Sequence, residues 1–393
     1  MLIGRPVTVL GGGIGGLAAA LACAQRGAQV TVIERAPELG EVGAGIQVSP
    51  NGWRVLAALG LAPDLAARSP RAEAVRLRDF RAGRDVFRVP LTDPDQPYHF
   101  VHRADLVDVL AKAVKAAGVA LRLGTEVTGL TFDGRGTHLT YGDGRHETRG
   151  LTIAADGLHS VARPLLNPRS RPYFTGQVAW RATVPWDGAR APEAQVFMGP
   201  GRHLVRYPLR SGRLMNIVAV EERDGWAAEG WHHRDDPDHL RRAFTDFCPE
   251  VHDLLARVET VFLWGLFRHP VAETWGAAEG QGAVALLGDA AHPTLPFMAQ
   301  GANMALEDAF ILAQCLAEET DTAQAIARYQ GVRRARVMRV VQAAEQNATN
   351  YHLRPGPARA AAHAALRLAG RVAPHLVTRR FDWVYRYDPT RAV

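Results

Sequence analysis

Apolar and polar positions change period several times along this chain of 393 residues. Residues 7–10 are a short apolar run, a cluster of glycines follows, and residues 17–25 carry helical character. Residues 29–33 then read as a second strand that stops at Glu34. A short strand is expected at 46–48, with Asn51 placed to cap a helix over 52–59. Alternation through 75–89 around Arg81-Ala82-Gly83-Arg84 predicts a hairpin. Leu106, Val109, Leu110, Ala113 and Val114 share one face of an amphipathic helix over 102–117. Residues 119–129 and 138–155 form a strand-rich return that ends at Asp156-Gly157.

From about residue 178 the period becomes two. Strands are expected at 178–184, 194–198, 202–208, 214–220 and 261–267, forming an antiparallel sheet inserted into the first domain. The apolar run 283–287 leads into a loop with Gly288, Asp289, Pro293, Pro296 and Gly301. Helices are expected at about 305–318 and 322–351. Pro355-Gly356-Pro357 breaks the chain before an alanine-rich helix, and the aromatic residues 381–385 are expected to tuck against the body. The fold class is therefore α/β: a Rossmann-like domain with an inserted antiparallel sheet and C-terminal helices. Residues 1–70, 101–175 and 273–320 are assigned to the Rossmann-like part, 71–100 and 176–272 to the inserted sheet, and 321–393 to the C-terminal helices.

Composition removes several classes of function. A hydrophobic share of 47% and a charged share of 22% are those of an ordinary globular enzyme. The net charge is +6, yet Lys112 and Lys115 are the only lysines and the arginines are scattered. That is a compositional bias and not the clustered basic face of a nucleic-acid partner. Cys23, Cys248 and Cys315 lie far apart with no CxxC, which points to a reducing compartment with no dithiol or metal site. A strand begins by residue 7, leaving no room for a signal peptide, and no apolar run is long enough to span a bilayer. The expected location is cytoplasmic. Residues 231–239 hold His232, His233, Asp235, Asp236 and His239, but Pro237 interrupts them, and they read as a solvated loop. Arg328, Arg333, Arg334, Arg336 and Arg339 read as a solvated helix face, with an oligomer contact as the alternative.

The glycine cluster carries the strongest chemistry. Gly11, Gly13 and Gly16 fit GxGxxG, with Gly15 between, and strand, glycines, helix, strand and Glu34 follow in one βαβ unit. Glycines let the backbone approach a pyrophosphate, and Glu34 accepts from ribose hydroxyls. Only one such fingerprint occurs, so a two-nucleotide flavin reductase with a redox cysteine pair is not indicated. Asp156 and Asp289 each follow an apolar strand. Arg103 lies in a first helical turn, where a cation opposes the dipole; a bound anion and a surface arginine both account for it. Gln47 faces a ligand or is an ordinary strand residue. In residues 202–208, His203, Val205 and Tyr207 share one face. His203 and Tyr207 are either a polar pair facing a ligand or a histidine and a tyrosine with satisfied hydrogen bonds at a domain edge, and the residues alone favour the second.

Taken in order, GGGIGG with Glu34-Arg35, ADGLHSVAR at 155–163 and GDAAHP at 288–293 resemble the single-component FAD-dependent aromatic hydroxylases, the class A flavoprotein monooxygenases. The likeness covers nearly the whole chain and is greatest to the salicylate, 3-hydroxybenzoate and 6-hydroxynicotinate hydroxylase branch. It implies tightly bound, non-covalent FAD, NADH or NADPH as transient reductant, and O2. The implied reaction is hydroxylation of a small electron-rich aromatic through a flavin C4a-hydroperoxide. It implies that Gly11, Gly13, Gly16, Glu34 and Arg35 hold the ADP half, with Arg103, the backbone near Val127 and Asp156 also at the cofactor. Asp289 would bind the ribityl chain, and Gly301, Ala302 and Asn303 would face the flavin pyrimidine edge. His203 and Tyr207 would line the substrate pocket, with His203 as the base, relayed through Tyr207. Pro296, Phe297 and Met298 would make a dry wall, with Gln47 at the same pocket. A monomer or homodimer is expected, without nucleic acid or metal. A flavin reductase or oxidase without oxygen insertion, and a non-catalytic flavin-bound sensor, are the alternatives.

Overall fold

The computed structural model describes residues 2–40, 44–169, 171–187, 191–225, 233–372 and 379–393. A six-stranded sheet runs in the order Gly276–Glu279, Gly282–Leu286, Leu151–Ala154, Pro6–Leu10, Gln29–Ile33 and Ala120–Arg122. Its pairs are parallel except for the edge hairpin 276–286. The central strands are covered on both faces, which is why they read as unbroken apolar runs. Leu10 stands in register with Ile33 and Ala154, and Ala154 with Leu286. Four strands thus finish level, and the loops at Gly11, Glu34, Asp156 and Asp289 all leave at the same carboxyl edge, where open α/β sheets bind ligands.

Helix Ile14–Ala24 packs against helix Gly301–Glu318. Its small residues allow the close approach: a Cβ on Gly15 would lie 3.2 Å from that of Ala305. The second sheet has eight strands: Arg234–Asp235, Val261–Arg268, Tyr173–Pro185, Leu214–Glu222, Arg202–Leu209, Glu193–Gly199, Ala74–Asp79 and Asp85–Pro90. Trp180, Phe197, Leu204 and Ile217 on one face pack with Phe244, Phe247 and Val251 from the helical segment behind. The other face turns toward the first sheet. Strands Gly45–Val48 and His99–His102 form a two-stranded bridge between the halves. Gly45 N–H donates to Asn216 Oδ1 at 2.7 Å, and a Cβ there would sit 2.7 Å from the Tyr207 ring.

Three expectations are corrected. The inserted sheet is not wholly antiparallel, because Glu193–Gly199 pairs parallel with Ala74–Asp79, a strand that arrives from the hairpin more than a hundred residues earlier. Asn51 does not cap its helix. Ser49 is the N-cap, Pro50 opens the helix Pro50–Ala58, and the Asn51 amide turns inward. Residues 237–243 are helical and not a loop: Pro237 takes the first position, where its missing N–H costs nothing, and Asp236 caps it through Asp238 N–H. His239 pairs with Asp235 at 2.7 Å, and Asp235 also accepts from Trp180 Nε1. Trp231 and His232 lie outside the described residues, as do Glu41, Val42 and Gly43. Among the described residues no cluster could hold a metal ion, and no helix is long and apolar enough to cross a membrane.

Candidate active site

The glycine loop is shaped by contacts that admit no side chain. Gly11 has φ +99°, and a Cβ there would meet the Ala155 carbonyl oxygen at 2.3 Å. A Cβ on Gly16 would lie 2.0 Å from the Gly11 carbonyl oxygen. Gly13 is the opposite case: a Cβ would meet nothing within 4 Å, so the loop is open there. Helix Ile14–Ala24 begins on Gly13 without a side-chain cap, and its first N–H groups face that opening. Glu34 is fixed beside it, accepting from Gly12 N–H at 2.6 Å and Ala36 N–H at 2.8 Å. Asp156 accepts from Val161 N–H at 2.8 Å through Oδ2, while Oδ1 is buried with no partner among the described residues. Burial raises its pKa in spite of these hydrogen bonds. An open glycine, an uncapped helix end, a fixed acid and an orphaned buried acceptor fit the phosphates and sugar of a dinucleotide.

The turn at Gly288 (φ +61°) is held by a buried ionic cluster. Gly288 N–H donates to Asp308 Oδ2 at 3.0 Å, and Asp308 also binds His292 at 2.5 Å and Arg333 Nε at 2.7 Å. Arg333 pairs with Glu307 as well, and Arg336 reaches Glu307 at 2.8 Å. Burial would raise the Asp308 carboxyl, but His292 and Arg333 hold it down at about 2. Arg333 and Asp308 are fully buried. The solvated arginine face expected on helix Thr322–Tyr351 is therefore corrected: Arg328 pairs with Glu318 and Glu319 at the surface, but Arg333 and Arg336 turn inward. The reason lies on the partner helix, Gly301–Glu318, whose inward face carries two carboxylates that require cations. Asn51 donates to Glu307 at 2.6 Å and to Gln300 at 3.1 Å, tying a second helix into the cluster.

A cavity of about 450 Å³ runs from Gly13 and Gly15 past Gln47, Arg103 and Asp289 to the second sheet. The sheet contributes Arg181, His203, Val205, Tyr207 and Trp264. Pro296, Phe297 and Met298 form another wall, ending at Gly301 and Ala302. Ala299 takes φ +53° where the chain turns into the helix Gly301–Glu318, which starts without a side-chain cap. Asp289 opens into the cavity while protein surrounds it; burial raises its pKa against His292, Arg103 and His269. Burial lowers Arg103 to about 10, with Arg181 adding to the effect and Asp289 opposing it. Among the described residues the lining carries two arginines and one carboxylate, so the cavity favours an anion.

Several candidates lie elsewhere. Gly11, Gly16, Glu34, Arg35, Asp156, Asn303 and Val127 are not in the cavity wall. Arg35 is exposed just past Glu34, and Val127 opens the strand Val127–Asp133. The Asn303 side chain is fully buried and committed to Ser49 N–H at 3.0 Å and the Gln47 and Ala299 carbonyls, which leaves only its backbone at the helix start. Gln47 accepts from the Tyr98 hydroxyl at 2.7 Å. His203 and Tyr207 share a strand face, but four residues of strand put them roughly 13 Å apart. No hydrogen bond joins them, so the expected relay from His203 through Tyr207 is corrected. His203 Nδ1 is bonded to His352 Nε2 at 2.7 Å, and the Tyr207 ring packs on Phe100 at 5.1 Å. Burial drives His203 well below its usual pKa, and His352 adds to it. The sequence reading missed His352, Arg181, Tyr98 and Tyr351. Strand alternation through residue 181 was the one available signal among them.

A Rossmann-like sheet carrying a dinucleotide loop, joined to a mostly apolar, anion-favouring cavity under a second sheet, defines a flavin-dependent oxidoreductase. Residues 5–344 match the family described as FAD binding domain. The chain is 36% identical to 3-amino-4-hydroxybenzoate 2-monooxygenase of Streptomyces cremeus, over 89% of each. It is 35% identical to 3-hydroxybenzoate 6-hydroxylase of Polaromonas naphthalenivorans, over 88% of each. The solved structure of a salicylate hydroxylase substrate complex matches with a TM-score of 0.81 at 26% identity, covering 99% of this chain and 97% of that one. Klebsiella pneumoniae HpxO complexed with FAD and uric acid matches with a TM-score of 0.80 at 28% identity, covering 94% of each chain. The chain belongs to the FAD-dependent aromatic monooxygenases. FAD is its cofactor, and NAD(P)H and O2 are its cosubstrates.

Proposed function

We propose that the ring this enzyme hydroxylates is a small anionic phenol of the hydroxybenzoate, salicylate or hydroxynicotinate type. The observation that carries this is the cavity itself: His203 and Tyr207 are the polar groups on an otherwise apolar strand face that lines it, and Arg103, Arg181 and Asp289 line it too. The relatives named for hydroxybenzoates support the same class. Bound FAD supplies the two-electron chemistry that activates O2.

The residues have the following roles in this reading. Gly11, Gly13, Gly15, Gly16, Glu34 and Arg35 hold the ADP half, and Asp289 holds the ribityl chain. Arg103, Asp156 and the Val127 backbone complete that site. The N–H groups of Gly301, Ala302 and Asn303, at a helix start without a side-chain cap, would offer bound FAD roughly half a unit of positive charge. Pro296, Phe297 and Met298 exclude water. Gln47, held by Tyr98, borders the ring pocket. His203 Nε2 takes the phenol proton, which raises the electron density of the ring, and the Tyr207 hydroxyl orients a polar substituent. Residues 1–70, 101–175 and 273–320 serve the cofactor, while 71–100 and 176–272 serve the substrate. The three cysteines are free and buried, which suits a cytoplasmic enzyme, acting as a monomer or homodimer.

The test is NADH and NADPH oxidation with 3-hydroxybenzoate, 3-amino-4-hydroxybenzoate, salicylate and 6-hydroxynicotinate, with product mass and peroxide measured together. At least one compound stimulates oxidation and gains one oxygen atom. Stimulation by none of them, or peroxide equal to the reductant consumed, overturns the reading; the latter outcome marks an oxidase.

A further inference from the structure

We propose that His203, His352 and Glu222 form a proton relay that joins the substrate cavity to bulk solvent. The relay rests on the reading above, that a ring hydroxyl gives up its proton at His203. His203 lines the cavity and is 2% exposed; its Nδ1 meets His352 Nε2 at 2.7 Å. His352, 4% exposed, places Nδ1 2.9 Å from Glu222 Oε1. The Glu222 side chain is 38% exposed, so the line ends in water. A hairpin and a helix end far along the chain build it: His203 on the strand Arg202–Leu209, Glu222 at the end of its neighbour Leu214–Glu222, and His352 just beyond the helix Thr322–Tyr351. Gly201 N–H donates to the His352 carbonyl at 3.3 Å and anchors the helix end beside the strands.

The donor roles follow from chemistry. A carboxylate only accepts, so His352 Nδ1 carries the proton in its bond to Glu222. Burial lowers the pKa of both imidazoles, so each is neutral and holds one N–H. His352 Nε2 then has a lone pair and must accept, which makes His203 Nδ1 the donor. His203 Nε2 is left as an acceptor on a residue that faces the cavity. Each ring can therefore take a proton on one side and release one on the other.

When the phenol ionises, its proton bonds to His203 Nε2 as the Nδ1 proton passes to His352 Nε2. The Nδ1 proton of His352 passes to Glu222, which releases it to water. No ring carries a net charge at the end, and both tautomers have flipped. The hydroxylated product takes a proton back by the reverse shifts, which restores both rings. The groups that face the relay leave it uncharged within and anionic at its outer end. Tyr351 packs 5.2 Å from the His203 ring with its hydroxyl pushed up to about 12 by burial, and Phe297 packs on the same ring. Arg354 stands 3.6 Å from Glu222 and favours the carboxylate, while the nearby charges Arg202 and Glu221 are paired with Asp246 and Arg223.

The experiment uses the FAD-loaded enzyme with 3-hydroxybenzoate as the probe. Stopped-flow proton release into a weakly buffered indicator is followed together with the phenolate absorbance. In Glu222→Ala and His352→Gln, release and hydroxylation slow by about 100-fold at neutral pH, the lower end of what general acid–base transfer contributes. Probe affinity and FAD content stay unchanged, and the rate in Glu222→Ala rises with pH as hydroxide replaces the missing acceptor. Acetate restores Glu222→Ala, because the lost group lies at the surface, and does not restore His352→Gln. Release at the original rate in Glu222→Ala, or loss without acetate rescue, overturns the relay. If the unaltered FAD-loaded enzyme neither ionises nor hydroxylates 3-hydroxybenzoate or any of the other three compounds, the substrate reading fails and the relay falls with it.

Discussion

Replacing Arg333 with methionine tests the buried cluster most directly. Arg333 is fully buried and its guanidinium serves two carboxylates, Glu307 and Asp308, the second at 2.7 Å. After Arg333→Met, Glu307 keeps Arg336 and Asn51, while Asp308 keeps His292 and Gly288 N–H. Breaking a buried pair from one side costs about 3–5 kcal/mol, because a desolvated charge is left behind. With those remaining partners, about 4 kcal/mol is expected, a large share of a typical folding free energy of about 5–15 kcal/mol. The effect is linked to pH. A carboxyl held at about 2 against its ordinary value of 3.8 contributes stability above pH 3.8, and that stability is lost as pH falls toward 2. Arg333→Met removes part of that depression, so its stability curve is flatter across this acid window. Urea unfolding followed by tryptophan fluorescence gives the cost. A cycle with Asp308→Asn gives the coupling, expected at about 1–3 kcal/mol. Because Asp308 fixes the Gly288 turn, FAD affinity falls in the same variant. A cost below about 1 kcal/mol, or additivity in the cycle, would refute the argument.

Other expectations are simpler to check. Gly13→Ala should fold with stability within about 0.5 kcal/mol of the original yet hold FAD weakly, whereas Gly16→Ala, with its Cβ 2.0 Å from a carbonyl oxygen, should be destabilised; thermal melts and flavin release separate the two. Asp289→Ala should weaken FAD binding by about 1.5–3 kcal/mol, read by fluorescence titration of the apoprotein, and unchanged affinity would remove Asp289 from the cofactor site. Burial lowers His99, stacked on Trp53 at 3.8 Å, from 6.5 to about 4. A neutral buried histidine contributes stability above pH 6.5 that is lost as pH falls toward 4, roughly 3 kcal/mol. His99→Gln should flatten urea stability across that window, and an unchanged slope would count against the assignment.

Local pattern made much of this fold legible. Residues 29–33 and 322–351 are the strand and helix that their periodicity implies, and the glycine loop with Glu34 was readable because its constraints lie within one βαβ unit. The hairpin at 75–89 was equally local, since its turn and alternation sit together. Asn51 was misread as a cap because Ser49 and Asn51 both suit that place, and only the buried Gln300 and Glu307 decide which turns inward.

By itself the sequence determined most of the strands and helices, most of their apolar faces, and that a dinucleotide loop opens the chain. Those properties depend on residues a few positions apart, through the periods of helix and strand. Only the tertiary structure decided that Arg333 is a core residue, that a parallel pair joins the hairpin to the second sheet, and that His203 meets His352 across 149 residues and not Tyr207 on its own strand. An arginine looks solvated until another helix brings two carboxylates to it. A histidine's tautomer is undefined until its partners are, because burial and pairing depend on which distant surfaces meet.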